Sequence, residues 1–132
     1  MILVDTSVLL DVITIDPVWE PASRRALDTA AAQDEIFTSD IVYAELSPGY
    51  ETIEKLDAVL AAIGIRSVAP PKEALFLAGH AFRNYRRRGG PRTNVLPDFI
   101  IGAHAAAEGA RLLTRDPARV RAYFPTVELL AP

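Results

Sequence analysis

Short apolar runs alternate along the chain with longer stretches in which apolar residues recur every three or four positions, the pattern of buried strands alternating with amphipathic helices. Ile2-Leu3-Val4 is a bare apolar run, which suits a strand covered on both faces in a parallel sheet, and Asp5 ends it. Residues 6–12 predict a short helix. Asp16 and Pro17 predict the start of the next, with Asp as N-cap and Pro at the first helical position, continuing to about Gln33. Residues 36–38 predict a second strand. Ser39 is placed to cap a helix carrying Ile41, Val42, Glu45 and Leu46, which Pro48 and Gly49 stop. From Glu51 to Ile63 the apolar residues fall at 53, 56, 59, 60 and 63, one buried helical face.

Residues 65–68 predict a third strand, Pro70-Pro71 a turn, and residues 72–88 a helix with Leu75, Ala78, Ala81, Phe82 and Tyr85 on one side. Gly89-Gly90-Pro91 breaks it. Pro97 opens another helix over residues 98–107 with Gly109 as its stop, Leu112-Leu113-Thr114 is a fourth strand, Asp116-Pro117 caps a last short helix, and residues 127–129 predict an edge strand. Strand, helix, strand in this order implies right-handed crossovers. The expected fold class is α/β, with a short central parallel sheet of four or five strands, helices on both faces, and one domain over residues 1–132.

The composition fits that reading, with 132 residues, half of them apolar and 23% charged. No stretch free of Asp, Glu, Lys and Arg exceeds nine residues, too short for a membrane span. The opening residues lack the basic start of a secretory signal, and the absence of cysteine excludes disulfides and thiolate metal sites; both point to a reducing, cytoplasmic setting. The net charge of −3 conceals an asymmetry: residues 1–66 balance to −8 and residues 67–132 to +5. Arg83, Arg86, Arg87, Arg88 and Arg92 concentrate the positive charge beside a Gly-Gly-Pro loop. Such a run is either a solvated helix face or a grip on phosphate oxygens.

In open α/β sheets ligands bind beyond the carboxyl ends of the strands. Asp5 follows the first strand, Asp116 follows the fourth, Asp98 lies in the first turn after Pro97, and Glu45 lies on the helix after the second strand. Each acid has a plainer explanation. Asp116 and Asp98 suit helix starts, Asp5 can cap residues 6–12, and Glu45 can be an exposed helix residue. Gathered at one end of the sheet, however, four carboxylates would repel one another unless a cation neutralised them, and Mg²⁺ or Mn²⁺ is the natural partner of such oxygens. That arrangement serves phosphodiester hydrolysis.

Four ordered segments carry a resemblance: Val4-Asp5-Thr6-Ser7-Val8-Leu9-Leu10-Asp11, Ser39-Asp40-Ile41-Val42-Tyr43-Ala44-Glu45-Leu46, Leu96-Pro97-Asp98-Phe99-Ile100-Ile101-Gly102-Ala103-His104-Ala105, and Leu112-Leu113-Thr114-Arg115-Asp116. Together they resemble the PIN domain, and more narrowly the VapC-type toxins of toxin–antitoxin modules. The resemblance implies a Mg²⁺-dependent endoribonuclease whose acidic cluster maps onto Asp5, Glu45, Asp98 and Asp116, with Mn²⁺ as a possible substitute. It also implies that Thr6, Ser7 and Thr114 lie near the metal or the scissile phosphate. Water attacking phosphorus in line would leave a 3′-hydroxyl and a 5′-phosphate. Arg86, Arg87, Arg88 and Arg92 are expected to grip RNA phosphates outside the acidic pocket. A cognate VapB-type antitoxin and a homodimer are further implications.

Pro48-Gly49 leaves the aim of Glu45 open. His104 and Tyr85 read as packing residues, and Asp11 and Asp40 as solvated or capping ones. The principal alternative is a non-catalytic module that binds RNA or protein through the arginines. A DNA nuclease shares the metal chemistry, and a receiver-like phosphoacceptor is disfavoured because Lys55 and Lys72 are the only lysines.

Overall fold

The computed structural model describes residues 1–91 and 95–132, so Arg92 lies outside the described residues. Five strands, β1 (Ile2–Val4), β2 (Ile36–Ser39), β3 (Arg66–Val68), β4 (Arg111–Leu113) and β5 (Leu129–Leu130), form one sheet in the order β3-β2-β1-β4-β5. Every pairing is parallel. Among the described residues seven α-helices flank it: α1 (Thr6–Ile13), α2 (Glu20–Gln33), α3 (Asp40–Leu46), α4 (Ile53–Ile63), α5 (Lys72–Arg87), α6 (Leu96–Glu108) and α7 (Ala118–Tyr123). The α/β class and the parallel sheet expected from the sequence are present. No helix among the described residues is long and apolar enough to cross a membrane.

The strand order fixes where a ligand site can form. From β1 the chain steps outward to β2 and β3, then returns past its starting point to β4 and continues to β5. Right-handed crossovers send the first connections to one face and the later ones to the other, so the order reverses between β1 and β4 and a crevice opens at their carboxyl ends. Ile2, Leu3 and Val4 are wholly buried, as a central parallel strand requires. On one side of the core an aromatic cluster forms around Phe99 of α6, which meets Tyr123 at 5.2 Å and Tyr85 at 5.5 Å between ring centroids. Tyr85 is therefore packed, as read. His104 is wholly buried against the Phe37 ring.

Several local expectations are corrected. Asp16 does not start α2: its carboxylate accepts from the amides of Val18 and Trp19 and caps a turn, and the helix begins at Glu20 with Pro21 in its first turn. Aspartate forms such local turns as readily as helix caps. Ser39 occupies the N-cap position of α3 without capping it; its hydroxyl is buried without a partner among the described residues. Asp116 does not cap α7 either, since Pro117 is the cap residue and no side chain serves the helix end. Asp11 is not solvated. It is 2% exposed and pairs with Arg115. Asp40 accepts from Ser67 Oγ at 2.5 Å, linking α3 to β3.

Candidate active site

Asp5 is delivered by β1 and caps α1, one carboxylate oxygen accepting from the Thr6 amide at 2.8 Å. Its other oxygen accepts from Ser7 Oγ at 3.0 Å and Thr114 Oγ1 at 2.7 Å. Each hydroxyl spends its proton on Asp5 and then accepts from the loop after β4. Ser7 Oγ takes the Arg115 amide at 3.2 Å, and Thr114 Oγ1 takes the Asp116 amide at 3.0 Å. Two hydroxyl relays thus tie the carboxyl ends of β1 and β4 together at the point where the strand order reverses. One Asp5 oxygen is fully engaged, and the other carries the cap bond alone.

A small cavity of about 20 Å³ opens here, walled by Asp5, Asp98, Thr114, Asp116 and Arg119 over the apolar floor of Ile101 and Leu112. It has room for a single water-sized species. A nucleotide cannot enter. Burial pushes the Asp5 carboxyl above its ordinary range against the pull of its hydrogen bonds, and the Asp116 charge adds to the rise. Asp98, in the first turn of α6, is pushed up to about 6, chiefly by burial and then by the Asp5 charge; Arg119 opposes the rise while Glu45 and Asp116 add to it. The four acids feel one another across the site.

Glu45 approaches from α3. It is exposed and does not line the cavity, and its Oε1 accepts from Thr6 Oγ1 at 2.7 Å, next in the chain to Asp5. Arg119, which sequence reasoning missed, donates from Nη1 to Asp98 Oδ2 at 2.5 Å. Its guanidinium lies 5.5 Å from the Tyr85 ring and 5.9 Å from that of Phe99. The only signal for it in the sequence is its place one helical turn beyond Asp116. Arg86, Arg87 and Arg88 are exposed at the end of α5, outside the cavity. Arg86 donates to the Gly90 carbonyl at 2.9 Å, and Arg88 lies 5.3 Å from the Tyr123 ring. The basic helix end and the acidic cavity therefore share the aromatic wall around Phe99.

The donor set suits a hard cation: all oxygen, crowded enough to raise Asp98, and set about a cavity of ionic size. Among the described residues no three Asp, Glu or His stand close enough to enclose an ion together, and Arg119 supplies the positive charge at Asp98. In oxygen chemistry and in negative charge the acids fit a divalent cation.

The fold is shared with chains of several solved structures. One is VapBC2 from Rickettsia felis bound to a promoter DNA fragment, at a TM-score of 0.75 and 23% identity, with 100% of this chain and 99% of that chain covered. A second is VapBC-1 from nontypeable Haemophilus influenzae, at 0.71 and 18%, covering 99% and 98%. A third is FitAcB from Neisseria gonorrhoeae, at 0.66 and 22%, covering 98% and 96%. No curated protein sequence matches significantly. The family model of the PIN domain matches residues 2–124, nearly the whole chain, and the chain belongs to the PIN domain family.

Proposed function

We propose that this PIN domain is a metal-dependent endoribonuclease and the toxin of a toxin–antitoxin pair. The reading rests on the cation-sized cavity walled by Asp5, Asp98 and Asp116 at the reversal of strand order. PIN domains are for the most part nucleases, and the structures that share the fold include VapBC complexes and a toxin–antitoxin complex from Klebsiella pneumoniae. A cognate VapB-type antitoxin, an RNA substrate and self-association as a homodimer belong to this proposal.

Asp5 and Asp98 would hold Mg²⁺, or Mn²⁺ in its place, with Asp116 and Glu45 completing the shell directly or through water. When bound, the cation would neutralise the acids and favour attack of water on a phosphodiester. The chain's own residues prepare the rest. Ser7 and Thr114 fix the orientation of Asp5, and Thr6 fixes that of Glu45. Arg119 pairs with Asp98 and opposes, without cancelling, the rise of its pKa. Arg86, Arg87 and Arg88, exposed at the end of α5, would hold RNA phosphates outside the acidic cavity.

Expression of the chain alone in a bacterial host should arrest growth and fragment cellular RNA, while Asp5→Asn at equal abundance should do neither. Growth arrest with intact RNA, or arrest retained by Asp5→Asn, would overturn the proposal.

A further inference from the structure

Asp11 is a buried acid outside the cavity, and its partner is far away in sequence. Its Oδ1 accepts from Arg115 Nη2 at 3.0 Å, and Arg115 Nε lies 2.9 Å from its Oδ2. The Oδ2 atom also accepts from Ser23 Oγ at 2.6 Å. Trp19 covers the guanidinium, which lies 5.0 Å from the ring. A forked guanidinium held by a buried carboxylate and an aromatic plane has little freedom. Arg115 stands between Thr114 and Asp116, and its own amide is the one that donates to Ser7 Oγ. The pair therefore pins, from the side chain, the same short backbone segment whose amides feed both relays to Asp5.

We propose that Asp11 and Arg115 form a positioning clamp for the active site, joining α1, α2 and the loop after β4 so that Thr114 and Asp116 face Asp5. Neither residue touches the cavity. Arg115 is thereby withheld from substrate: its charge is spent on Asp11, and its role is to aim its neighbours. The inference rests on the proposed cation site, and it predicts that loosening the clamp weakens that site without altering any of its acids.

The double variant Asp11→Asn/Arg115→Gln tests it. Net charge is unchanged, Asn matches Asp in shape while Gln is two heavy atoms shorter than Arg, and Asn can still accept from Ser23. Replacing both members of a buried pair avoids the stranded charge that a single change leaves. Mn²⁺ affinity by calorimetry should fall by about 10-fold to 100-fold, the usual effect of losing a group that orients a ligand. The thermal midpoint and far-UV circular dichroism should stay close to wild type. Arg115→Lys, which keeps the charge on Asp11, should recover part of the affinity. In the single Arg115→Gln variant, electrostatics alone predicts tighter cation binding, whereas the clamp predicts weaker. A folded double variant that binds Mn²⁺ as wild type does, or tighter binding by Arg115→Gln, would overturn the clamp and leave the nuclease reading standing. A wild type that binds no Mn²⁺ would overturn both.

Discussion

The guanidinium of Arg119 lies 2.5 Å from the Asp98 carboxylate, and Asp98 nonetheless has its pKa raised to about 6. One cation does not offset burial together with the neighbouring acids. A carboxyl raised from 3.8 to about 6 keeps, when folded, a proton that the unfolded chain releases. Its contribution to stability is full below pH 3.8 and is lost as pH rises through about 6. With the side chain 46% exposed and solvent screening part of the shift, roughly 1 kcal/mol is at stake. Urea unfolding in EDTA should therefore show wild type losing about 1 kcal/mol relative to Asp98→Asn between pH 4 and pH 7.5. Parallel pH profiles would contradict the electrostatic account of the site.

Thr114 is 1% exposed and bridges the Asp116 amide to Asp5. Thr114→Val keeps the shape and deletes the bridge, leaving the Asp5 carboxylate without one of its donors and the Asp116 amide without its acceptor. It should cost about 1–3 kcal/mol in chemical denaturation. RNA cleavage should fall about tenfold, with Thr114→Ser close to wild type. Full activity in the valine variant would remove the relay from the account.

The same helix-to-core packing that places Asp98 makes Gly102 intolerant. A methyl group there would stand 2.6 Å from Phe124 Cδ2, so Gly102→Ala should destabilise by about 1–3 kcal/mol through overpacking. Gly79 on α5 has open space around its Cα, and Gly79→Ala should stabilise by about 0.5–1 kcal/mol. Thermal melts of the two variants, with opposite signs expected, check the packing of α6 against α7 and its flank.

The phosphate grip proposed for the end of α5 makes a quantitative demand on binding. In the inactive Asp5→Asn background, Arg88→Ala should weaken RNA binding equally for unrelated sequences. It should also reduce the slope of log affinity against log salt by about 0.7, the value for one single-strand phosphate contact. An unchanged slope would take Arg88 out of the interface.

Much of the fold is legible in local pattern. Ile2-Leu3-Val4 reads as a buried strand because a parallel sheet covers both of its faces, and Gly109 reads as a helix stop because it adopts φ +62° at the end of α6. What the pattern lacks is pairing at long range. The reversal between β1 and β4, which creates the crevice, depends on contacts about a hundred residues apart. Asp11 looks like an ordinary helix acid until Arg115, 104 residues later, folds onto it. Arg119 carries no motif, and only the packing of α7 against α6 brings it to Asp98. Asp16 shows the opposite failure: a sound helix-start signal that the chain uses for a turn instead.

If Asp5, Glu45, Asp98 and Asp116 gather a divalent cation for RNA hydrolysis, as proposed, cleavage must require both the metal and the acids. Wild type and Asp98→Asn, each purified free of any bound partner, are incubated with total cellular RNA and Mg²⁺ or Mn²⁺, with and without EDTA. Cleavage by wild type alone, abolished by EDTA and leaving 5′-phosphate ends, is the predicted result. Intact RNA from a folded, partner-free wild type, or equal cleavage by Asp98→Asn, would contradict it.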